Sequence, residues 1–289
     1  MTVDALLLVL AGALAHATWN YLAKLASGGN SFVFLYSLVS FAFAGPLSLW
    51  FYFTAPELMT WPVLAVTLGS AVIHVFYSLV LQRGYQVADL TIVYPVARGT
   101  GPLFSVFGAI LVLGEHPSLA GWLGIAIIFF GILLIAGGHR LIMGTSRPGV
   151  ARGLVWGSAT GLFIAAYTVL DGWSVKTLGI TPIYFYAYCL SFRMLILAPL
   201  ALRNIDGVKS QWLSNWRIIV AVGILSPLAY ALVLFAMTLA PLIYVAPIRE
   251  LSMMFAALLG AKLLMEDDAK LRIMGSCLMA VGVVVLTLA

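Results

Sequence analysis

Four ionisable residues stand where charge is expensive. Arg98, Arg193, Arg249 and Glu250 each fall near the middle of an apolar stretch long enough to cross a bilayer, where one arginine costs about 3 kcal/mol on insertion scales. That cost argues for a use. Guanidinium groups hold carboxylates or phosphates, and a carboxylate beside them holds a guanidinium or an amine. Arg98 follows Pro95 by three residues, while Arg249 and Glu250 follow Pro247 by two and three. Pro95, Pro102 and Pro247 each withdraw a backbone hydrogen bond, which membrane helices tolerate where neighbours or a watery cavity compensate. Two readings stand for an Arg98–Glu250 pair: a structural lock on one conformation, and a binding site for a charged substrate. Adjacent Arg249 and Glu250 point in different directions on a helix, so at most one faces a given partner.

Polar and aromatic faces surround these charges in the sequence. His16, Trp19 and Asn20 stand at i, i+3 and i+4 on one helix face. His74, Tyr77, Ser78 and Gln82 repeat the idea, and Tyr94 stands one turn before Arg98. Trp156, Thr160, Phe163, Tyr167 and Asp171 make a stripe of helical period. From these faces the candidate substrate-binding set takes His16, Trp19, Asn20, His74, Tyr77, Ser78, Gln82, Tyr94, Trp156, Phe163 and Tyr167, with Arg98, Arg249 and Glu250, and Tyr230 and Tyr244 complete it. Converging, these faces suit an aromatic, hydrogen-bonding cavity for a small molecule; singly, each also suits an interfacial anchor or a helix–helix hydrogen bond. Trp50, Trp61, Trp173, Trp212 and Trp216 lie near segment ends and read as belt residues.

Catalytic chemistry finds less support. The acidic run Glu266, Asp267 and Asp268 resembles a metal-binding cluster and is the best site for a membrane enzyme, yet flanked by Lys262 and Lys270 it also reads as a solvated helix connection. No zinc-protease, nucleophile-elbow or P-loop pattern occurs. Cys189 and Cys277 lack metal or disulfide spacing. No cofactor and no metal are expected.

The elements that must position these residues are membrane helices. The 289 residues are 63% hydrophobic and 9% charged, against roughly half apolar in a soluble domain. Apolar runs near the 20 residues needed to cross about 30 Å of hydrocarbon lie at about 4–25, 31–53, 61–83, 89–113, 118–137, 151–173, 182–202, 215–238, 242–264 and 270–288. Lipid offers no hydrogen bonds to the backbone, so the expected fold is an all-α polytopic membrane protein of ten transmembrane helices.

The two halves repeat one another. Ala88 precedes Pro95 by seven residues, and Glu115 precedes Gly124 and Gly131 by nine and sixteen; Ala240, Pro247, Glu266, Gly275 and Gly282 keep the same spacings. At a glycine usage of about 7%, matching both glycines by chance has odds of about one in a hundred. The chain therefore divides into a first repeat at 1–137, a polar linker at 138–150 and a second repeat at 151–289. Five helices per repeat force the second copy to enter the membrane inverted, an arrangement typical of transporters. Glu115 and Glu266, at segment ends, suit capping of the helix that follows. Gly108, Ala109, Gly121, Gly124, Gly131, Gly260, Gly275 and Gly282 suit close helix packing.

Basic loop residues set the expected orientation. Lys24, Arg83, Arg140, Arg147, Arg152, Arg203, Lys209, Arg217, Lys262, Lys270 and Arg272 share one side, against Lys176 on the other. The first set belongs in the cytoplasm, with both termini outside a cell inner membrane. The net charge of +5 thus reflects this bias and not nucleic-acid binding.

The motifs resemble a known family. The Ala-Thr-Trp-Asn-Tyr-Leu-Ala-Lys run at 17–24, Pro95, the Leu-Gly-Glu at 113–115, Gly124 and Gly131 are similar to the EamA domain, the repeat unit of the drug/metabolite transporter superfamily. The second half departs in places, with Leu-Met-Glu at 264–266 and Tyr167 to Gly172 in place of Trp19 to Lys24. The resemblance implies ten helices, a cavity between the halves and carriage of small metabolites, often by export of amino acids. Related small multidrug exporters use a glutamate in the first helix, whereas here that helix offers His16, Trp19 and Asn20.

The resulting expectation is a secondary transporter, possible as a monomer, in contact with membrane lipid. Three buried arginines against one glutamate suit a carboxylate or phosphate, and aromatic faces suit an apolar side chain or an amine. Amino acids, aromatic or bulky apolar ones preferred, satisfy both. The proton-carrying candidates are Glu250, His16 and His74, and a glutamate engaged by Arg98 carries protons poorly, so a facilitator working by alternating access is expected. A proton-coupled carrier of drugs, sugars or nucleotides is the alternative.

Overall fold

The computed structural model describes residues 1–26, 29–88, 90–135, 150–255 and 269–289. The described residues include ten α-helices: α1 (Val3–Ala26), α2 (Asn30–Thr54), α3 (Trp61–Val87), α4 (Leu90–Leu113), α5 (Leu119–Ile135), α6 (Val150–Lys176), α7 (Pro182–Leu202), α8 (Ile205–Leu239), α9 (Leu242–Arg249) and α10 (Ala269–Leu288). A 3-10 turn at Pro56–Leu58 follows α2. Seven of the helices, α1 to α4 and α6 to α8, are long and apolar enough to span a membrane, and α5 and α10 contain shorter apolar runs. The molecule is an all-helical, polytopic membrane protein. Residues 138–149, the end of the ninth expected segment at 256–264, and Glu266, Asp267 and Asp268 lie outside the described residues.

Repeat glycines show how the halves meet. A Cβ built on Gly131 would lie 2.7 Å from the Gly275 carbonyl, and one on Gly275 would lie 2.7 Å from the Gly131 carbonyl. Gly124 and Gly282 relate in the same way, at 3.1 and 3.0 Å. The glycine nine residues after Glu115 thus meets the one sixteen after Glu266, and the reverse. Residue numbers rise along α5 as they fall along α10, so the two run antiparallel about a two-fold axis between them. Only a residue without a Cβ lets the backbones approach this closely.

The remaining packing obeys the same exchange. Helix α1 packs on α8 as α6 packs on α3; α2 packs on α8 as α7 does on α3; α4 packs on α6 as α9 does on α1. The α2–α7, α4–α9 and α5–α10 contacts map onto themselves. Along the α4–α6 seam Gly153 faces Ile92, Gly157 faces Val96 and Gly161 faces Thr100, with numbers rising together. Those two helices are parallel, as inverted five-helix repeats require.

Two segments differ from the sequence expectation. The eighth, expected from 215, is preceded by a helical stretch from Ile205 that joins it through a kink at Asn215. That stretch reaches α1, because the Gln211 side-chain amide donates to the Ala26 carbonyl at 3.3 Å. The ninth, expected as one run from 242, is interrupted: α9 stops at Arg249, Glu250 occupies a turn, and helix resumes at 251–255. Pro247 withdraws its N–H from the helical ladder just before the break. Helix α4 carries two prolines, Pro95 and Pro102, without interruption.

Candidate functional site

The interruption after α9 delivers its charges to the interface between the halves. Glu250 Oε2 lies 3.4 Å from Arg98 Nη1 on α4, and Glu250 Oε1 lies 3.6 Å from Arg249 Nε. Adjacent Arg249 and Glu250 also touch one another, while each reaches a different partner on another helix, Thr168 for Arg249 and Arg98 for Glu250. Arg249 ends the helix and Glu250 keeps right-handed helical dihedrals (φ −71°, ψ −3°), so the two meet through the reach of their side chains. Both are almost fully enclosed, at 4% and 1% relative exposure. Arg249 Nη1 donates to Thr168 Oγ1 on α6 at 3.4 Å, so the pair ties α4, α6 and α9 together.

Arg98 continues the network toward α1. Its Nη2 lies 3.0 Å from His16 Nε2, and its guanidinium stands 5.5 Å from the Tyr94 ring centroid. Trp19 Nε1 stands 3.3 Å from His16 Nδ1. Guanidinium and indole N–H groups only donate, whereas a neutral imidazole has one accepting nitrogen. His16 thus accepts from one neighbour at a time, and a protonated His16 would accept from neither.

A second cluster forms where α3, α6 and α8 meet. Asp171 Oδ2 accepts from Tyr230 OH at 2.6 Å and lies 3.2 Å from His74 Nε2, while Asp171 Oδ1 is buried without a hydrogen-bond partner among the described residues. The His74 ring stacks on Tyr167 at 4.0 Å between centroids. Tyr77 meets Tyr167 edge-on at 5.6 Å, and Tyr186 meets Tyr230 at 5.2 Å. Beyond Ser78, Arg193 Nη2 donates to Tyr36 OH at 3.2 Å and to Ser78 Oγ at 3.5 Å.

Several candidates lie apart from these clusters. The Asn20 side-chain amide donates to the His16 carbonyl at 2.7 Å, within its own helix. Ser78 Oγ donates likewise to the His74 carbonyl at 2.9 Å. Gln82 is half-buried two turns along α3 from His74. Trp156 packs on Gly84 at the far end of α6, about 22 Å along the helix from Asp171 at 1.5 Å per residue. Phe163 stacks on outward-facing Phe76 at 6.0 Å. Tyr244 presses its hydroxyl against Gly121 on α5.

Two central residues escaped the candidate set. Asp171 stands on the same helix face as Tyr167, a visible signal, but near the end expected for its segment; α6 instead continues to Lys176 and buries it completely. Arg193 was visible as a mid-segment charge, yet nothing in the sequence ties it to Tyr36, 157 residues away. Among the described residues, the half-buried Arg98 and Arg193 and the buried Arg249 thus outnumber the buried carboxylates Asp171 and Glu250, and Arg98 and Arg249 meet Glu250.

One end of the interface is latched. Glu115 Oε1 accepts from Lys176 Nζ at 2.6 Å and from the Leu242 backbone N–H at 3.0 Å, and Oε2 accepts from the Ile243 N–H at 2.9 Å. The carboxylate caps α9 of the opposite half and not the following helix α5, because the fold brings the start of α9 against the α4–α5 connection. Lys176 Nζ also donates to the Ala240 carbonyl at 3.3 Å.

Comparison with known proteins places this arrangement in context. The profile of the EamA-like transporter family matches residues 4–137 and again 151–288. A crystal structure described only as that of a protein is similar in fold, with a TM-score of 0.74 over 100% of this chain and 98% of that one, at 18% sequence identity. No curated protein sequence matches this chain.

Proposed function

This chain belongs to the EamA-like transporter family, membrane transporters of small molecules, and we propose that it exports amino acids, aromatic or bulky apolar ones preferred. The observation that carries the reading is the interrupted ninth segment with Arg98, Arg249 and Glu250 gathered at the break. Transporters place substrate sites at such discontinuous helices between inverted repeats, near the midplane. Guanidiniums in excess over carboxylates suit the substrate carboxylate. The rings of Tyr167, Tyr230, Tyr77 and Tyr94 suit an apolar or aromatic side chain.

Transport proceeds by alternating access, with the halves rocking about this site. The latch end is shut by Glu115 and by the continuously buried run 242–253, while His16, Trp19, Tyr77, Tyr94 and Arg98 toward the basic end are only half-buried. Lys and Arg bias puts that basic end in the cytoplasm of a cell inner membrane and both termini outside. Both Glu250 oxygens face arginines, and His16 stands between two donors of which it accepts from one. Flux follows the gradient of the substrate.

Purified protein in liposomes tests all of this, with a panel of labelled amino acids, sugars and nucleotides and with or without an imposed pH gradient. Uptake of aromatic amino acids that stops at equilibrium is expected. Uptake inhibited by sugars or nucleotides and by no amino acid rejects the substrate. Gradient-driven accumulation abolished by Glu250→Gln rejects the facilitator in favour of a proton-coupled carrier.

A further inference from the structure

We infer that Asp171 is the ammonium-binding subsite of the carrier, holding the amine of a substrate whose carboxylate engages the arginines at the α9 break. The inference rests on the amino-acid reading above and adds the residue that receives the other charge. Asp171 is wholly enclosed, and its two oxygens are unequally served: Oδ2 faces both Tyr230 OH and His74 Nε2, whereas Oδ1 has no hydrogen-bond partner among the described residues. A buried acceptor left unmatched calls for an explanation, and an ammonium donor at Oδ1 supplies one. With the imidazole proton on Nε2, His74 donates to Oδ2, as Tyr230 does, and Oδ1 is left for the ligand.

The surroundings suit an alkylammonium group. Tyr167 and Tyr230 both meet the His74 ring, and Tyr77 and Tyr186 extend the ring cluster through them; aromatic faces attract cations that have left water. The anion-binding groups are near at hand. Thr168, which accepts from Arg249, precedes Asp171 by three residues on α6, and residues so spaced share a face at about 5–6 Å between Cβ atoms. A zwitterion laid along this face meets a guanidinium at one end and a carboxylate at the other, with its side chain among the rings.

The test measures equilibrium binding to the full chain in nanodiscs, with phenylalanine, 2-phenylethylamine and 3-phenylpropanoate as probes. Asp171→Asn is expected to weaken phenylalanine and the amine at least tenfold and to change the carboxylate probe less than twofold, which also shows that the variant is folded. Equal weakening of all three, or an unchanged amine, overturns the subsite. Tyr230→Phe leaves Asp171 in place with one fewer donor on Oδ2; it is expected to tighten both amine-bearing probes severalfold and spare the carboxylate, and a uniform or absent shift overturns the subsite even if Asp171→Asn does not fold. Wild-type binding of the amine but not of phenylalanine keeps the subsite and rejects the amino-acid reading. Wild-type binding of the carboxylate without the amine rejects the subsite alone, and binding of none rejects both.

Discussion

Glu250 is the residue on which the central network turns, because each of its oxygens answers a different arginine. Removing one member of a buried charge pair leaves the other uncompensated, at about 3–5 kcal/mol, whereas replacing both members by neutral groups is far milder. Glu250→Ala is therefore expected to be severely destabilising, as thermal unfolding in detergent would show. Adding Arg98→Met to Glu250→Ala should restore part of the loss. A double variant whose loss equals the sum of the two single losses would show that the side chains act independently. His16 belongs to the same network but with the opposite limitation: flanked by Trp19 and Arg98, it can accept one hydrogen bond and offer its proton to neither.

At the scale of elements, the α5–α10 crossing depends on missing Cβ atoms. A Cβ on Gly131 would meet Met279 Cγ at 2.5 Å and the Gly275 carbonyl at 2.7 Å, and the carbonyl cannot yield without moving α10. Gly131→Ala is expected to cost about 1–3 kcal/mol, the usual range for overpacking. Gly99→Ala, with nothing within 4 Å of its added methyl, should leave the same unfolding transition unchanged or slightly raised. Equal effects at the two glycines would contradict the crossing.

The Glu115 latch is a second element-scale device, since it ties the start of α9 to the α4–α5 connection and to the end of α6. Glu115→Gln removes the charge that Lys176 and the helix terminus answer. Leu242→Cys, buried in this state, should then react severalfold faster with an impermeant maleimide than it does with Glu115 present. The comparison uses a background in which Cys189 and Cys277 are replaced. Unchanged labelling would mean that the latch does not hold this end shut.

For the whole molecule, alternating access demands that the two ends of α4 and α9 never close or open together. Cysteine pairs across the latch end and across the basic end should cross-link in mutually exclusive populations, with substrate shifting the balance between them. Simultaneous cross-linking at both ends would reject the rocking scheme. The exchange symmetry of the packing supports it, because the contacts of α1 with α8 and of α6 with α3 are the same contact made twice. An inverted molecule that closes one end by one set of contacts can close the other by the symmetric set.

Much of this architecture is legible without coordinates, and the reason is the solvent. Lipid admits only satisfied backbones, so composition and run length alone lead to membrane helices, and the paired spacings of Glu115 and Glu266 to their glycines reveal the duplication that the family profile also matches. Spacing could not reveal that the glycines nine residues after one glutamate meet those sixteen after the other, since that depends on where the two-fold axis passes. Nor could it assign Glu115 to α9, whose first N–H groups lie 127 and 128 residues away in sequence. Asp171 and Arg193 were visible as charges in apolar sequence, but helical periodicity says which residues share a face and not which face looks inward. That choice, and the meeting of Glu250 with Arg98 from the other half, belongs to the tertiary structure, because burial of a charge is decided by whatever packs against it.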